Sequence, residues 1–354
     1  MRGATDVATL KSALRLGAKI GAGFFGQVYL GEDEAHGTVA VKVLTPKAHW
    51  SAEEWEERKK GFVAEAQRLS RAADEHVVKV HYCVAAEDEN SVHICMEYCP
   101  GGSLQTPYER GPMTLKAVQQ VATDMLLGLQ TLHLRDMLHR DIKPANLLRD
   151  ARGRVKLGDF GLVTDDLIKG YADQADYAYG DHLAYEVWHG GGTSVKSDIW
   201  AVGATLYRLL HGQQWYDVME RPRHSIENGG FADKLQWLPH VPKRWRRVIR
   251  QMMEDDTRKR YQTADQALSA VSSLPNAPEW ECAVDIGADA VRWELLKGNR
   301  VQVIEWDRTP KRNLWSACSE PMMGAKGQKK SLDGSRTVVS AKTALSGLEA
   351  FFLD

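Results

Sequence analysis

Cysteine is scarce in this sequence, which has five in 354 residues. No two of them form a C-x-x-C pair, so a zinc ribbon or a thioredoxin-like redox site has no support. Their number and scatter also exclude a disulfide scaffold, and we expect reduced thiols in a cytoplasmic protein. The five are Cys83, Cys95, Cys99, Cys282 and Cys318.

Long apolar runs are also missing. The most apolar stretch, residues 199–210, is interrupted by Gly203, Tyr207 and Arg208, and it falls short of the roughly 18 to 20 residues that a membrane-spanning helix needs. The amino-terminal stretch lacks the apolar segment of a signal peptide. We therefore expect no membrane partner and no anchor.

Net charge is nearly absent, because 46 lysines and arginines oppose 47 acids, which gives a formal charge of -1. A balanced chain has no general bias toward nucleic acid, and we expect no nucleic-acid partner. The lysines and arginines between residues 308 and 342 are interpreted as a solvated face. With 43% hydrophobic residues, the chain can bury a sizeable core, which excludes a largely disordered protein.

The hydrophobic periodicity changes along the chain and predicts several regions. Residues 14–31, 38–44, 76–85 and 91–98 are typical of strands. Residues 51–73 between them are typical of a helix, with Ser51 as N-cap and Glu54 at the capping-box position. A breaker cluster at 99–103 predicts a hinge, and segments 115–134, 197–210, 243–254 and 263–274 are predicted helices. A strand-rich lobe before a helical lobe predicts a cleft between the two.

The pattern changes again after Pro275. Residues 281–286, 291–296 and 301–306 predict three short strands, the last two joined by a Gly298–Asn299 turn. A polar stretch with Lys326, Lys329, Lys330 and Arg336 follows, and then a helix near 341–352. Four tryptophans are dense here; we expect three of them to pack this small sheet onto the preceding region or onto itself, and an exposed aromatic docking surface stays an alternative. They are Trp280, Trp293, Trp306 and Trp315.

Gly21, Gly23, Gly26 and Val28 form G-x-G-x-x-G-x-V between two predicted strands. Glycine lets a backbone turn tightly and approach a phosphate without a Cβ in the way. A dinucleotide-binding fold would place this motif at the start of a helix, whereas here it opens a strand. The motif alone is weak evidence, and a simple glycine-containing hairpin would explain it equally well.

Three further motifs follow in order. Lys42 ends V-A-V-K inside an apolar strand, where an ammonium needs an anionic partner, and Glu65 on the next helix is the natural one. H-R-D-I-K-P-A-N begins at His139, and D-F-G begins at Asp159 after a strand-like run. In this order and at this spacing the set resembles the protein kinase family over residues 14–275. The resemblance is closest to the eukaryotic-like, Hanks-type serine/threonine kinases, and we expect a soluble bacterial member.

The resemblance implies a fold and a role for each matched residue. The fold class would be α+β: a β-rich N-lobe (14–98), a hinge (97–100) and a mostly helical C-lobe (101–275), after an extension (1–13) and before an α+β accessory domain (276–354). The cofactors would be ATP and Mg²⁺. Asp141, Lys143, Lys42 and Glu65 would be catalytic; Ile20, Gly21, Gly23, Gly26, Val28, Ala40, Lys42, Met96, Glu97, Cys99 and Leu148 would bind ATP; Asn146 and Asp159 would bind the metal.

The implied activity is phosphoryl transfer from ATP to serine or threonine hydroxyls of proteins, including autophosphorylation. Lys143 resembles the residue that contacts the transferring phosphate in the serine/threonine branch. A small-molecule kinase would lack the full motif set, and a non-catalytic binding module would lack some of the catalytic residues, so both are weaker alternatives. We expect a protein substrate and a regulatory partner for residues 276–354.

The segment from Asp159 to Glu186 departs from the family. Tyr179 stands where a threonine usually helps to fix the catalytic Asp and Lys, and Ala184–Glu186 replaces A-P-E with A-Y-E. Arg260 resembles the arginine that pairs with this glutamate. Arg140 would normally receive a phosphate, and we expect an aspartate to replace that phosphate; satisfaction by backbone carbonyls is the alternative. The candidate aspartates are Asp173, Asp176 and Asp181, and the segment's hydroxyl residues are Thr164, Tyr171, Tyr177, Tyr179 and Tyr185.

Overall fold

The computed structural model describes residues 14–23, 26–48, 50–71, 74–85, 90–159, 180–218, 222–309, 313–323, 325–335 and 337–353. The chain divides into two compact units, Met1–Gly101 and Gly102–Asp354. Within the described residues the first unit is a five-stranded sheet with one helix. The second is a group of helices with a two-stranded sheet, followed by another five-stranded sheet and a last helix. The predicted α+β class is confirmed.

The first unit is a five-stranded antiparallel sheet in the order β1-β2-β3-β5-β4. Val39, Val41 and Cys95 are fully buried and form its core, as the β-branched run of β3 predicts. Its elements are β1 (Arg15–Gly23), β2 (Gly26–Asp33), β3 (Gly37–Leu44), α1 (Ala52–Arg71), β4 (Val80–Ala85) and β5 (Val92–Glu97).

The start of α1 was predicted correctly. The Ser51 N–H donates to Glu54 Oε2 at 2.8 Å, and the Glu54 N–H donates to Ser51 Oγ at 3.1 Å, which is the reciprocal capping box. The start of β4 differs from its prediction: the strand begins at Val80 rather than His76. The N–H of His76 instead donates to the Asp74 side chain at 2.8 Å, because an Asx turn competes with the strand there.

The second unit is mostly helical as far as residue 275. Helix α3 begins after Thr114, whose hydroxyl accepts the Ala117 N–H at 3.2 Å, and its apolar face packs against α9 and α5. The elements are α2 (Gln105–Arg110), α3 (Leu115–His133), a 3₁₀ turn (Pro144–Asn146), β6 (Leu147–Arg149), β7 (Val155–Leu157), α4 (Tyr185–Trp188), α5 (Val195–Asp217), α6 (Pro222–Glu227), α7 (Phe231–Lys234), α8 (Lys243–Met252) and α9 (Ala264–Ser272).

Helix α5 is the buried centre of this region. Ser194 caps it in a second capping box with Ser197, and almost every residue from Ser197 to Leu210 is buried. The helix runs past its predicted end at Leu210 and kinks at Gly212, whose φ is 72°. A Cβ at Gly212 would lie 2.6 Å from the backbone of Gly111, so only glycine fits the kink.

The last part of the second unit is an antiparallel sheet in the order β12-β11-β10-β9-β8, followed by a helix. The three predicted strands and the Gly298–Asn299 turn are confirmed. The prediction of a polar stretch without strands between β10 and the last helix was wrong, because β11 and β12 lie there. The elements are β8 (Glu281–Asp285), β9 (Ala290–Lys297), β10 (Arg300–Arg308), β11 (Asn313–Pro321), β12 (Lys330–Gly334) and α10 (Ala341–Leu353).

All four tryptophans of this sheet region are buried, not only three. The Trp293 Nε1–H donates to Nδ1 of His240, just before α8, at 2.9 Å. Phe352 of α10 packs edge-on against Trp280 and Trp293. The sheet is therefore attached both to the helical region and to its own helix, and these four side chains form no exposed aromatic surface.

Among the described residues, no helix is long and apolar enough to cross a membrane.

Candidate active site

The loop that carries H-R-D lies between α3 and β6 and is fixed by one buried carboxylate. Asp198, in the first turn of α5 and 1% exposed, accepts the N–H of His139 on Oδ2 and the N–H of Arg140 on Oδ1, both at 2.9 Å. His133 Nε2 also lies 2.9 Å from Oδ2. Burial raises the pKa of Asp198, but the hydrogen bonds outweigh it and lower the pKa below its usual value.

Asp141 lies at the centre of this loop with both carboxylate oxygens bound. Lys143 Nζ lies 2.8 Å from Oδ1. Asn146 Nδ2 donates to Oδ2 at 2.7 Å and to the Asp141 backbone oxygen at 2.8 Å. The 3₁₀ turn Pro144–Asn146 brings this amide back toward the carboxylate. The structure thus brings three sequence-predicted site residues into direct contact.

A fourth residue at this carboxylate was not among the predicted site residues. His182 Nε2 lies 2.9 Å from Asp141 Oδ1, and the His182 side chain is 10% exposed. Burial would raise the pKa of Asp141, but His182 and Lys143 outweigh it and hold the pKa well below its usual range. Asp141 is therefore ionised and able to accept a proton or a hydrogen bond.

The predicted metal ligands lie close together in the chain fold. Asp159 follows β7 and has a φ of 55°. The N–H of the preceding residue, Gly158, donates to the backbone oxygen of Asn146 at 2.9 Å. The Asn146 side-chain nitrogen is directed to Asp141, so the side-chain oxygen is the atom that would bind a cation. One carboxylate plus one amide oxygen is a donor set that suits Mg²⁺ shared with phosphate oxygens.

No cluster of three or more His, Cys, Asp or Glu side chains suited to a metal occurs in the part of the chain that the structure describes.

The predicted pair between Glu186 and Arg260 is confirmed. Nη1 and Nη2 of Arg260 donate to Oε1 and Oε2 of Glu186 at 2.7 and 3.0 Å, and the Arg260 side chain is fully buried. Arg260 also donates to the backbone oxygens of Glu254 and Lys196. The guanidinium therefore fixes the end of the segment that begins at Asp159 to the helical region.

The prediction that Asp181 could be the aspartate partner of Arg140 is wrong. Arg140 Nε donates to the Thr193 hydroxyl at 2.9 Å. Asp181 instead lies 3.4 Å from Arg208 Nη2 and accepts the Tyr216 hydroxyl at 3.2 Å, because the buried Arg208 needs a carboxylate in its own surroundings. Tyr185 lies in α4. The other candidates, Thr164, Tyr171, Asp173, Asp176, Tyr177 and Tyr179, lie outside the described residues.

The glycine motif lies at the β1–β2 hairpin of the first unit. Gly21 pairs with Val28 and Gly23 pairs with Gly26. A Cβ at Gly26 would lie 2.2 Å from the Val43 carbonyl oxygen, so the close approach of β2 to β3 requires glycine there. Residues 24 and 25 lie outside the described residues.

Lys42 is 3% exposed on β3, where it pairs with Val28 on one side and with Ile94 on the other. The Glu65 side chain lies outside the described residues, so its pairing with Lys42 stays a prediction.

The residues predicted to surround the adenine are distributed over both units. In the first unit, Ala40 pairs with Met96 and Val39 with Glu97, Cys99 is buried, and Ile20 is 46% exposed. In the second unit, Leu148 on β6 pairs with Lys156 of β7. Burial raises the pKa of the Cys95 thiol, in keeping with a packing role.

An antiparallel sheet with a glycine hairpin and a buried lysine, followed by a helical unit whose loop presents Asp141, Lys143 and Asn146, defines a kinase-type protein. Residues 14–271 match the family described as "Protein kinase domain". The chain belongs to the protein kinase family, whose members use ATP and Mg²⁺ for phosphoryl transfer.

The curated relatives include a serine/threonine-protein kinase and mitogen-activated protein kinase kinase kinases. The chain is 31% identical over 202 residues to human Mitogen-activated protein kinase kinase kinase 3, covering 55% of this chain and 32% of that protein. It is 32% identical over 231 residues to Serine/threonine-protein kinase sax-1 of Caenorhabditis elegans, covering 54% and 47%. It is 32% identical over 219 residues to MAP3K epsilon protein kinase 2 of Arabidopsis thaliana, covering 60% and 16%. The chain thus spans less than half the length of each.

Proposed function

We propose that this chain is an active protein kinase that transfers the γ-phosphoryl group of ATP to serine or threonine hydroxyls of proteins, its own included. The observation that supports this best is the arrangement around Asp141, whose carboxylate is ionised and fixed by Lys143 and Asn146. Kinase chemistry depends on positioning and charge compensation, and these groups provide both.

In the proposed reaction, Asp141 accepts the hydrogen bond and then the proton of the substrate hydroxyl. The hydroxyl oxygen forms a bond to the γ-phosphorus while the bond from that phosphorus to the ADP oxygen breaks, so the products are phosphoprotein and ADP. Lys143, beside the same carboxylate, would balance charge on the transferring phosphoryl group. Mg²⁺, held by Asn146 and Asp159, would neutralise charge on the phosphate oxygens.

The nucleotide would be bound by groups from both units. The backbone of the Gly21–Gly26 hairpin would cover the phosphates, and Lys42, held by Glu65, would contact the α and β phosphates. We propose the kinase domain as 14–275, with N-lobe, hinge and C-lobe as predicted, and 276–354 as an accessory domain. The regulatory role of that domain, the cytoplasmic location and the bacterial source stay predictions.

The test is a phosphotransfer assay with labelled ATP and Mg²⁺, followed by phosphosite mapping. The wild type is compared with Asp141→Asn and with Asp136→Asn. Asp136 is exposed in the same loop, so the second variant makes the same chemical change away from the site. Labelled serine or threonine in the wild type and in Asp136→Asn, but not in Asp141→Asn, supports the proposal.

Two other results would contradict the proposed serine/threonine kinase activity. Label on tyrosine would overturn the serine/threonine assignment. Nucleotide binding without transfer to this protein, to general kinase substrates or to small molecules would favour a binding module.

A further inference from the structure

We propose that His182 is a positioning residue for Asp141, and that it leaves one acceptor site on Asp141 Oδ2 for the substrate hydroxyl. The inference deepens the proposed kinase function and rests on it. Its basis is the direct contact of 2.9 Å between His182 Nε2 and Asp141 Oδ1. In the sequence, Tyr179 occupies the place where the family usually has a threonine that helps to fix this aspartate.

The turn that carries His182 is fixed at its first residue. A Cβ at Gly180 would lie 2.5 Å from the Trp188 ring, so only glycine lets the backbone pack onto this indole. Arg223 stacks on the same ring at 4.3 Å. The Leu183 N–H donates to the Gly180 carbonyl at 3.0 Å, which closes the turn.

The residues on either side of His182 are fixed as well. Asp181 is bound by Arg208 and by the Tyr216 hydroxyl. Leu183 is 5% exposed and Ala184 is fully buried. With both neighbours held, the imidazole does not need to be ordered by the substrate, and its direction toward Asp141 is built into the fold.

The protonation state of His182 suits a hydrogen-bond donor. Burial lowers the pKa of His182, and the adjacent Asp141 only partly opposes this. This direction favours the neutral ring, and the 2.9 Å contact of Nε2 with Asp141 Oδ1 favours the tautomer that carries the hydrogen on Nε2. A neutral donor fixes the carboxylate without forming a second full ion pair beside Lys143.

The number of occupied acceptor sites on the Asp141 carboxylate indicates which oxygen the substrate hydroxyl contacts. A carboxylate has about four lone-pair sites, two on each oxygen. Lys143 and His182 fill both sites on Oδ1, and Asn146 fills one on Oδ2. Among the contacts of the described residues, the remaining site lies on Oδ2, so we infer that the substrate hydroxyl donates there. Without His182, the carboxylate could rotate and the hydroxyl could bind Oδ1 instead.

The experiment compares His182→Phe with His182→Gln. Phenylalanine fills the space of the ring without a donor, whereas the glutamine amide can place an N–H near the position of Nε2. We expect His182→Phe to lower kcat about 10- to 100-fold while the KM for ATP stays within about 2-fold, and we expect His182→Gln to recover most of kcat. His224→Phe, at an exposed histidine of α6, is the matched control. Wild-type kcat in His182→Phe, or equal losses in the phenylalanine and glutamine variants, would overturn the inference.

A second measurement does not depend on activity. In protein with ¹⁵N-labelled histidine, the Nε2–H signal of His182 is assigned by its loss in His182→Gln. We expect this signal to shift in Asp141→Ala and to stay in place in Asp136→Asn. An unchanged signal in Asp141→Ala would contradict the contact even if the chain proved inactive, whereas an inactive wild type with the expected shift would contradict only the kinase proposal.

Discussion

Arg140 adopts a left-handed backbone conformation, with a φ of 69°, and its N–H donates to Oδ1 of Asp198 at 2.9 Å. Non-glycine residues rarely adopt this conformation, so it persists only where surrounding contacts compensate for it. Asp198, from α5, supplies that compensation and so determines where the next residue, Asp141, points.

Asp198→Asn should therefore damage both the loop and the activity. An amide has one acceptor oxygen, so its nitrogen would oppose either the His139 or the Arg140 N–H, and a buried donor would be left unpaired. We expect kcat to fall at least about 10-fold and the free energy of unfolding to fall by about 1–3 kcal/mol. Urea denaturation and the phosphotransfer assay measure the two effects. Asp233→Asn, at an exposed position of α7, is the control, and equal behaviour of the two variants would refute the prediction.

The ion pair between Arg260 and Glu186 should contribute strongly to stability. Glu186→Ala would leave a fully buried guanidinium without its carboxylate, which costs about 3–5 kcal/mol. Asp256→Ala, which removes the partner of the 86% exposed Arg258 and one acceptor of a backbone N–H, should cost much less, because exposed pairs are screened. Chemical denaturation of both variants measures the difference. A small effect of Glu186→Ala would mean that the backbone oxygens of Glu254 and Lys196 are sufficient partners for Arg260.

Acid should destabilise the second unit through two buried histidines. His211 Nε2 accepts the Leu238 N–H and His240 Nδ1 accepts the Trp293 indole N–H. Burial lowers the pKa of each to about 3. In the unfolded chain a histidine has a pKa of about 6.5. Below that pH these two histidines gain protons only in the unfolded state, so the free energy of unfolding falls as the pH falls toward 3.

The expected size is about 1.4 kcal/mol per histidine for each pH unit below about 6.5. Urea denaturation across this range measures the slope. His211→Gln and His240→Asn keep an acceptor near the same atoms but do not titrate, so each should reduce the slope. An unchanged slope in the double variant would assign the acid sensitivity to other groups.

Gly26→Ala should disturb the sheet of the first unit, while Gly21→Ala should not. The new Cβ at position 26 would lie 2.2 Å from the Val43 oxygen, whereas at position 21 the nearest atom is 3.8 Å away. We expect Gly26→Ala to lower the free energy of unfolding and to raise the KM for ATP. Thermal unfolding and ATP titration of the two variants decide this. Equal tolerance at both positions would mean that β2 can move away from β3.

Much of the fold was predictable because periodicity and caps are local signals. The capping box of Ser51 and Glu54 and the strand alternation around Trp293 and Trp306 required no knowledge of tertiary contacts. Strand β12 lacked such a signal, because most of its residues are exposed. Its pairing with β11 is a non-local interaction, and no alternation of apolar and polar residues in β12 predicts it.

The site was predictable where motifs have a fixed spacing, as for Asp141 and Asn146. His182 was missed because its contact with Asp141 depends on the turn after Gly180, which packs onto Trp188 only in the folded chain. Asp181 was a wrong candidate partner for Arg140 for a similar reason, because its contact with the buried Arg208 is not visible in the sequence.

The attachment of the last sheet through His240 has a consequence for biosynthesis. His240 precedes α8, but its partners Trp293 and Phe352 follow in the chain, and a ribosome adds only about 5–20 residues per second. For several seconds after α8 emerges, Trp293 and Phe352 have not yet been synthesised and cannot pack against His240. During that interval the nascent chain exposes the surface that Trp293 and Phe352 later cover, so the second unit completes its folding only when α10 has left the ribosome.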